Sequence, residues 1–173
     1  MGYYKVLSTP LSYCLENYKG FYRIEPFPKS DENSRFMALW QQYAHDGFGI
    51  TTELTLEELK EFAQLSTVEL GENFEVAYFS ETENCPHPAQ YYGADVAGGW
   101  YSMLASNLFT DSDNQGLWSV LNQHFRPKLN QNSLFEETAA ARSFCKTLKD
   151  LVELNPVYME PADWRVWHVF QVG

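Results

Sequence analysis

The middle of the sequence is nearly devoid of basic residues. From Ile50 to Phe125 it has twelve acidic residues and one basic residue, Lys60. This stretch accounts for the whole formal net charge of −11, because the two flanks together carry eleven residues of each sign. Binding to nucleic acid or to an anionic membrane surface requires clustered Lys and Arg. The pattern therefore argues against both partners and leaves room for a basic protein as partner, for a metal site or for simple solubility.

Long apolar runs and closely spaced cysteines are also missing. No run approaches the roughly 20 residues of a membrane span, and the start, Met1 to Lys5, lacks the apolar region of a signal peptide. Cys14, Cys85 and Cys145 are far apart and form no CxxC pair. This spacing does not fit a disulfide framework and is typical of free thiols in a reducing compartment. We therefore expect a cytoplasmic protein.

Motifs that carry chemistry are scarce. A βαβ alternation with a glycine fingerprint is absent, so a nucleotide-binding fold is not predicted. Cys85-Pro86-His87 is the one close pairing of metal-capable groups, whereas a structural zinc usually takes four ligands. Among 23 acidic residues some carboxylate pair always lies at a catalytic distance, so such pairs indicate nothing specific. We expect no catalytic residue, no metal and no cofactor.

Aromatic residues, in contrast, are abundant. They make up 16% of the 173 residues, which excludes intrinsic disorder and allows a sizeable core. We predict a single α+β domain over residues 1–173, with about five helices packed on a small mixed or antiparallel sheet. Helical patterns cover 30–44, 54–65, 100–109, 116–125 and 133–154, and a short helix at 11–18 also fits. Strand patterns cover 21–27, 47–52, 73–80 and 164–172, and 81–99 is predicted as a loop.

Two helix starts have strong local signals. Thr55 and Glu58 have the spacing of a capping box, and Leu54 with Leu59 has that of a hydrophobic staple. Ser133 and Glu136 have the spacing of a second capping box. Acidic residues near such a start also complement the helix dipole, so part of the negative charge has a structural reason.

The acidic residues that do not lie at a predicted helix start form the main candidate site. Six acidic residues lie within the 27 residues from Glu69 to Asp95, which contain no Lys or Arg, and aromatic residues are interleaved with them. Complementary charge speeds association with a basic protein, and aromatic side chains are the usual anchors of interfaces. A solvated surface is the other interpretation. The predicted partner-binding residues are Glu69, Glu72, Glu75, Tyr78, Glu81, Glu83, Tyr91, Tyr92, Asp95 and Trp100.

Two further hypotheses use other features. Tyr91, Tyr92 and Trp100 flank glycine turns and are compatible with a pocket, which would indicate a small enzyme or ligand-binding domain. The segment 164–172 is apolar on both faces, so we expect a strand buried on both sides. It is alternatively a strand that pairs edge to edge in a structural subunit.

The C-terminal half resembles a family of bacterial polymorphic-toxin immunity proteins. The likeness spans residues 98–155 and rests on GWYSM at 99–103, LWSVL at 117–121, Leu129, EETAA at 136–140, Leu148 and Leu151. It departs at 126–128, where Arg-Pro-Lys stands in place of a glycine in the family pattern. The resemblance implies a short aromatic helix, a tryptophan-containing segment and a long helix. It also implies a small acidic inhibitor, without enzymatic activity, that binds a cognate toxin domain, often a basic nuclease.

Overall fold

The computed structural model describes residues 2–9, 34–45, 54–71, 73–98, 101–102, 117–132, 134–154 and 163–173. Within these ranges the chain forms four α-helices and one antiparallel sheet of five strands. The helices are α1 (Arg35–His45), α2 (Leu56–Leu70), α3 (Leu117–Phe125) and α4 (Thr138–Leu154), and a 3-10 turn, Arg126–Lys128, follows α3. The strands are β1 (Gly2–Thr9), β2 (Asn73–Ser80), β3 (Ala89–Gly98), β4 (Tyr101–Ser102) and β5 (Trp164–Val172). The α+β class is confirmed, with four helices in these ranges where about five were expected.

The C-terminal strand β5 lies at the centre of the sheet. The strand order is β1-β2-β5-β3-β4, so β5 pairs with β2 on one side and with β3 on the other. Its side chains Trp164, Trp167 and Val169 are buried, as expected for a strand covered on both faces. The edge-pairing hypothesis is not supported, because β5 is paired with β3 along its length and with β2 at residues 168–172.

The two faces of the sheet are distinguished here by the residues of β1 and β2. The front face carries Tyr4, Val6, Val76 and Tyr78, and the back face carries the alternating residues Tyr3, Lys5, Ala77 and Phe79. Helices α1 and α2 pack on the front face through a buried cluster that contains Val6, Val76 and the ring of Phe62. A second cluster joins α3 and α4 to β3 and β5.

The capping box and the hydrophobic staple predicted at the start of α2 are confirmed. The Thr55 hydroxyl accepts from the backbone N–H of Glu58, and the Glu58 carboxylate accepts from the backbone N–H of Thr55 at 2.9 Å. Leu54 and Leu59, the predicted staple, are both buried in the front-face cluster. The helix ends at Gly71, which adopts the left-handed conformation that glycine permits.

Helix α4 starts later than the sequence predicts. It begins at Thr138 rather than near residue 133, so the capping box with Glu136 is wrong. The cause is tertiary: Phe135 exchanges backbone hydrogen bonds with Ala94 of β3, at 2.8 and 2.9 Å, and is therefore held in extended conformation. The predicted apolar face is confirmed further along, where Phe144, Cys145 and Leu148 are buried.

The largest difference between the predicted and the observed secondary structure lies between β2 and β4. The predicted loop 81–99 contains strand β3, and Tyr101–Ser102, predicted as helix, pairs with β3 as strand β4. Strand β3 is rich in Ala and Gly, which have low strand propensity, but its small residues Ala94 and Ala97 are buried in the core. No strand was predicted over residues 2–9, which form β1. The predicted elements at 11–18, 21–27 and 47–52 lie outside the described residues.

None of the helices in the described ranges is long and apolar enough to cross a membrane.

Candidate functional site

A row of aromatic residues crosses four strands on the front face. Tyr4 pairs with Tyr78, Tyr78 pairs with Phe170, and Phe170 pairs with Tyr91, so each residue lies directly opposite the next. The ring centroids of Tyr4 and Tyr78 are 4.9 Å apart, and those of Tyr91 and Phe170 are 5.3 Å apart. We call these four residues the tyrosine row. Cross-strand aromatic pairs of this kind also stabilise the sheet.

The tyrosine row is only partly covered. Phe170 is buried, Tyr4 and Tyr78 are half-buried, and Tyr91 exposes 42% of its surface. The neighbouring row towards α1 and α2, which contains Val6, Val76 and Val172, is buried.

The β2–β3 connection, residues 81–88, folds back towards the tyrosine row. The Tyr4 hydroxyl and the His87 Nε2 atom share a hydrogen bond of 2.6 Å. Burial raises the pKa of Tyr4, and the neighbouring Tyr78 and Cys85 raise it further. Cys85 and His87, paired in the sequence as metal-capable groups, thus lie beside a phenol, and the described residues contain no group of three or more potential metal ligands.

Charge at the Tyr91 end of the row comes from two exposed side chains. Tyr91 and the buried His168 share a hydrogen bond of 3.3 Å. Burial is the largest cause that lowers the pKa of His168, while the Glu83 carboxylate raises this pKa and the Arg142 guanidinium lowers it. Burial is the largest cause that raises the pKa of Tyr91. A hydrogen bond with the Thr138 side chain at the start of α4 lowers this pKa, and the Glu83 carboxylate raises it. The charges of Glu83 and Arg142 therefore both act on groups at this end of the row.

Glu81, at the other side of the same connection, has a structural partner. Its carboxylate accepts a hydrogen bond from Arg165, which also binds Asp163. The hydrogen bond with Arg165 is the largest cause that lowers the pKa of Glu81. This network ties the start of the connection to β5, and Glu81 is thus less available to a partner than Glu83.

Two predicted site residues lie together on the back face. The Tyr92 hydroxyl donates to the Glu75 carboxylate at 3.1 Å, and Gln171 donates to the same oxygen. Burial, followed by the charge of Glu75, raises the pKa of Tyr92 to about 12. Tyr91 contacts Phe170 on the front face, so Tyr91 and Tyr92 point to opposite sides of the sheet. This geometry gives no support to a pocket between them.

The remaining predicted residues are dispersed. Asp95 is only 1% exposed, and its carboxylate accepts from the backbone N–H of Val96 at 2.7 Å, so it lies in the interior. Glu69 is exposed in the last turn of α2, which has no basic residue. A carboxylate there opposes the helix dipole, so helix stability does not explain it. Glu72 and Trp100 lie outside the described residues.

A cavity of about 500 Å³ lies elsewhere, between the 3-10 turn and the start of α4. Lys128, Leu129, Glu136 and Ala140 are among the residues that line it. None of the residues predicted to bind a partner contributes to this cavity.

Sequence reasoning missed Tyr4, His168 and Phe170 as members of the site. The alternation of WRVWHVFQV predicts that His168 and Phe170 share a face. Only the strand order places that face beside Tyr78 and Tyr91, and a single sequence does not give the strand order.

The chain matches no protein-family model, no curated protein and no solved structure.

Proposed function

We propose that this chain is an immunity-type protein, which binds and inhibits a cognate bacterial toxin domain with a basic surface. The binding surface is centred on Tyr91 of the front face and Glu83 of the β2–β3 connection, with Tyr78 on the other side of Phe170. The observation that carries the proposal is the exposed ring of Tyr91, whose pKa the charge of the exposed Glu83 carboxylate raises. A charge that steers a basic partner thus acts at an aromatic side chain that can hold it.

Three other acidic residues have basic partners. Glu57 pairs with Lys60, Glu61 pairs with Arg35, and Glu81 pairs with Arg165. Glu83 forms no ion pair within the described part of the chain. An exposed carboxylate without an ion pair is not accounted for by the stability of the fold, and the resemblance over residues 98–155 indicates the class of partner.

The experiment is a titration with a purified basic toxin domain encoded beside the gene for this chain. We expect the wild-type chain to form a 1:1 complex and to suppress the activity of the toxin domain. The Glu83→Lys variant places like charges against the partner, so its Kd should rise by about tenfold or more. Circular dichroism of the variant checks that the fold is retained.

The matched control is Glu153→Lys, which changes an exposed residue of α4 and gives the same net charge. We expect its Kd to stay within about twofold of wild type, because long-range effects of one surface charge are screened. Equal losses in both variants would show that only net charge matters, and unchanged affinity of Glu83→Lys would rule out the proposed surface.

A further inference from the structure

The cavity between the 3-10 turn and the start of α4 is lined by side chains of opposite charge. Its volume of about 500 Å³ is in the range of small-molecule sites. Lys128 lines it from the 3-10 turn, and Glu136 and Glu137 line it from the segment that immediately precedes α4. Leu129 and Ala140 add apolar surface. One ligand in this cavity can therefore meet a positive group, two negative groups and an apolar wall.

The opposite charges at this cavity do not neutralise each other. In the described part of the chain, no ion pair joins Lys128 to Glu136 or Glu137. The Lys128 ammonium instead donates to the Nε2 atom of His124 at 3.1 Å, and its Nζ atom lies 5.1 Å from the centroid of the Phe125 ring. Because the end of α3 holds the ammonium in this way, charges of both signs remain available to a ligand.

The two glutamates also have a structural role. Carboxylates just before the first turn of a helix complement its dipole, which accounts for their sign. The dipole gives no reason for a cavity that these carboxylates share with a lysine. A ligand that pairs with both signs of charge accounts for the cavity and for the separation of the charges.

The charges select among the possible ligands. A simple anion would meet two carboxylates for the one ammonium that attracts it, and a simple cation would be opposed by Lys128. A metal ion is not indicated, because the described residues contain no group of three or more potential metal ligands. A ligand with both an ammonium and a carboxylate matches the two sets of charges, and the apolar surface of Leu129 and Ala140 suits an aliphatic side chain.

We propose that this cavity binds a short zwitterionic peptide, whose carboxylate pairs with Lys128 and whose ammonium pairs with Glu136 or Glu137. The cavity is lined neither by Tyr91 nor by Glu83. The site is therefore additional to the proposed toxin-binding surface and does not depend on it.

The probe is the dipeptide alanyl-leucine, compared with two capped forms of the same peptide. Acetyl-alanyl-leucine lacks the ammonium, and alanyl-leucine amide lacks the carboxylate. In a titration followed by two-dimensional amide NMR, we expect shifts centred on residues 128–129 and 136–143, with a Kd in about the millimolar range. Each capped form loses one exposed ion pair, so its Kd should be about two- to fivefold higher.

Variants assign each end of the peptide to its partner. Lys128→Gln should raise the Kd of alanyl-leucine about two- to fivefold and should not raise that of the amide, which has no carboxylate to lose. The double variant Glu136→Gln with Glu137→Gln should remove the preference for alanyl-leucine over its acetylated form. The amide NMR spectrum of each variant checks that the fold is retained.

The matched controls are Lys149→Gln and Glu153→Gln, which change exposed residues of α4 that do not line the cavity. We expect each to leave the Kd of all three peptides unchanged. Equal binding of the three peptides by the wild-type chain, or equal effects of Lys128→Gln and Lys149→Gln, would overturn the proposal. Absence of shifts around the cavity at about 10 mM alanyl-leucine, roughly ten times the expected Kd, would overturn it as well.

Discussion

At the scale of single residues, burial separates acidic side chains that the sequence groups together. Glu75 is bonded to Tyr92 and Gln171, and Asp95 is in the interior. Glu83 and Glu69 are exposed. Residues with the same charge within one short stretch therefore have different environments, and only the exposed ones are available for binding.

Lys5 lies on the back face, as Asp95 does, and carries the opposite charge. It points inward from the edge strand β1, and its Nζ atom lies 5.4 Å from the ring centroid of Tyr3 and 5.5 Å from that of Phe79. Burial lowers the pKa of Lys5 to about 8, although the charge of Asp95 raises this pKa. An inward-pointing charge on an edge strand also disfavours pairing with other chains.

This pKa makes the stability of the fold depend on pH. Between about pH 8 and pH 10.5 the unfolded chain binds more protons at Lys5 than the folded chain does. The free energy of unfolding should therefore rise with pH in this window, by at most about 1.4 kcal/mol per pH unit. In the Lys5→Met variant this contribution is absent.

Urea unfolding of both proteins at pH 7.5, 8.5 and 9.5 measures the effect. The readout is the difference between the two slopes, so an overall loss of stability in the variant does not affect it. Parallel curves for wild type and Lys5→Met would contradict the depressed pKa.

At the scale of elements, one irregularity in β3 decides which face each residue occupies. The register shifts between Tyr91 and Gly93, so Tyr92 is an extra residue relative to β5. Without this bulge Asp95 would lie on the same face as Tyr91, because strand residues alternate. With it, Asp95 lies opposite Trp167 on the back face, near Lys5.

The bulge depends on Gly93. Its φ of +139° is one that side chains rarely adopt, and an added Cβ would lie 2.7 Å from Leu134 Cβ and 2.9 Å from the carbonyl oxygen of Phe135. We expect Gly93→Ala to lower the free energy of unfolding by about 3 kcal/mol, through strain and overpacking.

The control for Gly93 is Gly71→Ala. Gly71 has a φ of +74° but nothing within 4 Å of an added Cβ, so only the conformational cost of about 1 kcal/mol remains. Chemical denaturation of the three proteins compares these losses. Equal losses in the two variants would show that contact with Leu134 and Phe135 does not matter.

Elements with strong local signals were predictable, and their arrangement was not. Strands β2 and β5 and the capped start of α2 follow from alternation and from Thr55 with Glu58. Strand β3 was missed because tertiary pairing overrides its Gly- and Ala-rich sequence. The bulge at Tyr92 depends on pairing with β5, so the sequence did not predict that Tyr91 and Tyr92 would separate.

At the scale of the whole molecule, charge is divided between two regions. Glu81 and Glu83 lie in the β2–β3 connection, whereas Arg142, Lys146 and Lys149 are exposed along α4 with the spacing of one helix face, followed by the acidic Asp150 and Glu153 at the end of the helix. Such a division orients an approaching charged partner as well as attracting it. A basic toxin domain should approach the β2–β3 connection and avoid the exposed face of α4.

Amide hydrogen exchange, measured for the chain alone and for its 1:1 complex with the basic toxin domain, locates the bound surface. We expect slower exchange in residues 81–91 on binding, with no change in residues 142–154. Protection confined to α4, with unchanged exchange in residues 81–91, would contradict binding through Glu83 and Tyr91.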